Sequence, residues 1–95
     1  MLTKRTLNAP DWLEEKDFLS LLLSHAATKH EYFDSRNRVF TTKHGCDYEV
    51  FKARVEGTQT ESFGDWDDLI AWEAFHTASQ EWKARYKELQ ACLAS

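Results

Sequence analysis

Seven residues in the last third of the chain, Ala71, Phe75, Ala78, Trp82, Tyr86, Leu89 and Leu93, are separated by steps of 4, 3, 4, 4, 3 and 4. Only an α-helix brings side chains back to one face at that interval. The stripe predicts a helix over residues 65–93, with Ser62 or Asp65 as its cap. Phe75 and Trp82 lie mid-stripe and are expected to face the core. At 100° per residue Trp72 falls about 80° from the stripe's centre, and Trp66 lies farther round. Both either cover the end of the core or stand partly open to water, ringed by Asp67, Asp68, Glu73 and His76, and a docking role takes the second.

A second helix is expected over residues 11–33. Pro10 suits a first helical turn, where its missing N–H costs nothing. Asp11 with Glu14 resembles a capping box. Trp12, Leu19, Leu22, Leu23, Ala26, His30 and Phe33 share one face, with Phe18 at its margin. Leu13 and Leu21 point elsewhere, so this helix is either buried on two sides or offers Leu13 and Leu21 to a partner. "DSRN", residues 34–37, reads as a turn. Residues 37–56 are rich in β-branched and aromatic side chains around His44-Gly45, which predicts a β-hairpin with Gly45 at positive φ and a bulge near Val50-Phe51. The rival reading is a short helix from Asp47 to Glu56, stopped by Gly57. The fold class expected is α+β, two long helices packed with a central hairpin; the alternative is a small all-α bundle.

Ninety-five residues suit one domain, residues 1–95, with a modest core and little room for a deep substrate cavity. Residues 1–8 read as a basic arm without the apolar stretch of a signal peptide. The richest apolar run, "FLSLLLSHAA", is too short to span a bilayer, so the expected setting is the cytoplasm with no membrane contact. Two cysteines, Cys46 and Cys92, are too few for a disulfide framework.

Charge is segregated. From Glu56 to Glu81 there are seven acids and no Lys or Arg, whereas Arg36, Arg38, Lys43, Lys52 and Arg54 face only Asp47 and Glu49. The two segments either pair inside the fold or form two surfaces. The net charge of −4 excludes a uniformly basic nucleic-acid binder.

No motif names a reaction. His25 and His30 diverge on a helix, and His44-Gly45-Cys46 lacks a second ligand pair at zinc-site spacing. "HGCD" crowds His44, Cys46 and Asp47 into one turn, where nucleophile and base diverge instead of converging. No metal, cofactor or catalytic residue is expected. The function expected is a protein-binding accessory or inhibitor that docks through Trp66, Asp67, Asp68, Trp72, Glu73, Leu13 and Leu21 on a basic protein surface, for instance that of a nucleic-acid-processing enzyme. The alternative is a nucleic-acid-binding module in which Arg36, Arg38, Lys43, Lys52 and Arg54 hold phosphates beside Phe40, Tyr48 and Phe51.

Overall fold

The computed structural model describes residues 9–58 and 62–95. The expected basic arm, residues 1–8, lies outside the described residues. Among the described residues three helices follow one another: α1 (Glu15–His44), α2 (Tyr48–Gly57) and α3 (Phe63–Ala94). No strand occurs among the described residues, so the expected α+β class is corrected to an all-α arrangement. α1 and α3 run antiparallel as a long hairpin, and short α2 packs across the end where the chain turns back. The result is a rod of 61 × 25 × 21 Å.

The correction at residues 34–44 has a local cause. The seam of α1 continues from Phe33 through Asn37 and Phe40 to His44, at steps of 4, 3 and 4. Asn37 breaks the apolar pattern there, with its Oδ1 buried without a hydrogen-bond partner among the described residues. Around the supposed turn, Arg38 donates to Asp34 Oδ2 at 2.7 Å and to Glu31 Oε1 at 2.9 Å on the solvent side. Val39, Thr41 and Thr42 carry β propensity, but burial of one helical face outweighs it. Gly45 does take positive φ, at 68°, yet as the left-handed cap that ends α1; its N–H donates to Thr41 O at 2.8 Å.

α1 also starts later than expected. Residues 10–13 form a turn, with Leu13 N–H donating to Pro10 O at 3.0 Å. The N-cap is Glu14, whose N–H donates to Asp17 Oδ2 at 3.0 Å, so the box is shifted from Asp11 and Glu14 to Glu14 and Asp17. Ser62 caps α3, its Oγ accepting from Asp65 N–H at 3.4 Å.

α2 occupies what was read as the second hairpin strand. Tyr48, Phe51 and Val55, spaced by 3 and 4, turn inward and join Leu69 and Trp72 in the core. Trp72 is only 1% exposed, stacked on Phe40 at 5.6 Å between ring centres, tilted against Phe51 at 5.4 Å and edge-on to Tyr48 at 5.7 Å. The expectation that Trp72 stands near water is therefore corrected. The side of α3 to which it points is covered by α2, so Leu69, Trp72, His76 and Ser79 form a second inward row beside the predicted stripe. Phe75 and Trp82 lie on the α1–α3 seam but remain half-buried, because among the described residues only two helices meet there. No helix of the described residues is long and apolar enough to cross a membrane.

Candidate functional site

The acidic start of α3 divides into an inward and an outward set. Asp68 points inward. One of its oxygens, Oδ2, accepts from Lys43 Nζ at 2.7 Å and from His44 Nε2 at 2.8 Å, clipping the end of α1 to α3. The Lys43 ammonium holds the Asp68 carboxyl below its ordinary range, against the desolvation that raises it and with help from His44. His44 is fixed from above as well, stacked on Phe51 at 4.0 Å. Glu73 accepts from Tyr48 Oη at 3.0 Å. Burial, and then that carboxylate, push the Tyr48 phenol up to about 12. Asp68 and Glu73 thus tie helices together.

The outward set is Phe63, Trp66, Asp67 and Ile70. Phe63 is 81% exposed, Ile70 66% and Trp66 39%. Their spacing of 3, 1 and 3 puts them on the helix face opposite the buried rows, and exposed Ala74 extends it one turn. Trp66 borders a shallow cleft with Arg54 and Val55 of α2 and with Thr58 just after it, which gives the strip one seated ring. The segment from Glu56 to Glu81 itself carries no Lys or Arg; Lys43 of α1 is paired with Asp68, and Arg54 of α2 borders the Trp66 cleft. This is an apolar strip with an acidic margin on a helix whose other side is sealed by packing.

Of the residues expected to dock, the structure keeps Trp66 and Asp67 on this strip. It places Glu73 at the edge, in its bond to Tyr48, and takes Asp68 and Trp72 inward. Leu13 and Leu21 sit at the opposite end of the rod, because α1 and α3 run antiparallel. Phe63 and Ile70 were missed by the sequence reading. Their signal was present, since both fall at helical spacing from Trp66, but a reading centred on tryptophans and charges passed over them.

The basic segment is largely engaged. Arg38 pairs with Glu31 and Asp34, and Lys43 with Asp68. The Arg36 guanidinium lies over the Phe75 ring at 5.5 Å, and Arg54 lies over Phe51 at 6.0 Å while donating to Cys46 Sγ at 3.1 Å. Phe40, Tyr48 and Phe51, the rings expected to stack bases in the nucleic-acid reading, are packed in or against the core. His44 and Cys46 have separate partners, Asp68 and Arg54, and do not meet. Among the described residues no three His, Cys, Asp or Glu side chains converge as metal ligands would.

No known protein family, curated protein or solved structure matches the chain.

Proposed function

We propose that the protein is a non-catalytic accessory that binds another protein through the outer face of α3, with Phe63, Trp66 and Ile70 as apolar anchors and Asp67 on the rim. The observation that carries this reading is the row of three large apolar side chains, 81, 39 and 66% exposed, on a helix already packed on its other side. Anchors of this kind gain most when a partner removes them from water. The carboxylate margin favours a basic counter-surface and disfavours an acidic one. A groove that otherwise receives phosphates, as on a nucleic-acid-processing enzyme, has the matching chemistry. The nucleic-acid-binding alternative draws no support from a basic segment whose arginines and Lys43 are engaged within the chain.

The test compares capture by the unaltered chain with capture by Phe63→Ser/Ile70→Ser and by Asp67→Lys. The reading expects a basic protein whose binding is lost with the first variant, weakened by the second and reduced by salt, while helical content is unchanged. Capture that all three chains share equally, or that depends instead on Arg38, refutes it.

A further inference from the structure

The end of the rod farthest from α2 is built differently from the rest. There the start of α1 lies beside the end of α3, with Leu22 bordering one groove together with Leu89 and Cys92, and no third helix among the described residues covers them. Trp12, Phe18, Leu21 and Leu22 expose 73, 42, 61 and 40% of their surface. They are joined into one band. Leu13 borders both the groove with Phe18 and Leu22 and the groove with Trp12 and Leu21, and Leu22 continues the band to Trp82 and Leu89.

The charges around the band are complementary to one another. Residues 11–22 carry Asp11, Glu14, Glu15 and Asp17 against Lys16, a net of −3; residues 83–94 carry Lys83, Arg85 and Lys87 against Glu88, a net of +2. Among the described residues no ion pair joins these two sets within the chain; Arg85 pairs with Glu81 at 3.7 Å and lies over Trp82, both on its own helix. Glu14 and Glu15 border the groove at one end of the band, and Arg85 borders the groove at the other.

We propose that this end is a two-fold interface with a second copy of the chain, each α1 start lying on the partner's α3 end. A two-fold axis makes every contact twice, so one surface with an acidic half and a basic half is complementary to itself. The four exposed side chains offer on the order of 400 Å². Doubled by symmetry, and with the half-buried Leu13, Leu19, Leu89 and Leu93 beside them, that approaches the roughly 1,000 Å² a specific interface needs. The pairing rests on other residues than the docking strip and leaves that strip free at both outer ends of the dimer. Two strips on one particle would raise avidity for a repeated or symmetric target.

Sedimentation equilibrium of the full chain tests this directly. The expected result is a concentration-dependent species of twice the 11.1 kDa chain mass. Leu21→Lys should raise the dimer dissociation constant by about tenfold or more with unchanged helical circular dichroism. Glu15→Lys and Arg85→Glu should each weaken the dimer, and the two together should recover much of it. A chain that stays monomeric up to about 1 mM overturns the proposal and leaves the band to a different partner. A chain that dimerises only once residues 1–8 are removed assigns the band to that arm instead. A dimer indifferent to Leu21→Lys and to both charge reversals places the interface elsewhere.

Discussion

Trp72→Ala removes an indole that is 1% exposed and that packs against the rings of Phe40, His44, Tyr48 and Phe51. A tryptophan at such a site buries about 200 Å² of ring. At about 25 cal/mol per Å² the loss is about 5 kcal/mol, close to the roughly 3–5 kcal/mol of other buried aromatic truncations. Leu69, Phe51, Val55 and Tyr48 are the only other members of that buried cluster among the described residues, so little can collapse into the space. Against a total stability of about 5–15 kcal/mol, this substitution removes a large share. Urea unfolding followed by circular dichroism at 222 nm should show the midpoint fall by roughly 2 M, given a slope of about 2 kcal/mol/M. Trp82→Ala is the internal comparison. Its ring meets His25 edge-on and carries Arg85 at 4.5 Å, but is only partly covered, and it should lose roughly half as much. If Trp82→Ala proves the more damaging and Trp72→Ala shifts the midpoint by less than about 0.5 M, the packing of α2 over α3 is wrong.

Three further outcomes follow from the same contacts. Gly45→Ala should cost about 1 kcal/mol, because the cap needs φ of 68° although the space beside it is open; the urea midpoint reads the loss directly. Asp68→Asn should cost about 1–2 kcal/mol at pH 7 by weakening the clip to Lys43 and His44. Because folding lowers the pKa of Asp68, its stabilisation is complete above about pH 4 and is lost as pH falls through the folded value. The gap between the two chains in urea titrations should therefore narrow as pH falls below about 4, and a gap that does not narrow there argues against the clip. Folding raises the Tyr48 pKa to about 12, so its contribution is complete below about pH 10 and is lost as pH rises through 12. Absorbance at 295 nm should show one tyrosine titrating late, and Tyr48→Phe should abolish that step.

Much of the fold was legible. The stripe from Ala71 to Leu93 announced α3, and Leu19, Leu23, Ala26, His30 and Phe33 announced the first half of α1. Ser62 was named as one of two possible caps, and Gly45 as a position needing positive φ. The preferred hairpin over residues 37–56 and the turn at 34–37 failed because composition stood in for period, whereas the rival short helix from Asp47 to Glu56 anticipates α2. Valines, threonines and aromatics suggested strands, and Asn37 hid the continuation of the α1 seam. Of the exposed strip on α3 that is proposed to dock, Trp66 and Asp67 were singled out in the sequence, whereas Phe63 and Ile70 stand out only once the sealed side of α3 is known.

Periodicity alone sufficed to mark two long amphipathic helices, since a step of three or four residues is a property of one helix and needs no neighbour. Which side of α3 meets water depended on where α2 lies, and that is set by packing between residues distant along the chain. Trp72 sits off its own helix's main stripe and is nonetheless the most deeply held tryptophan, because Tyr48 and Phe51 arrive from another element. The same holds for Asp68. Its charge is written in the chain, but whether it serves a partner or Lys43 is decided by the meeting of α1 and α3.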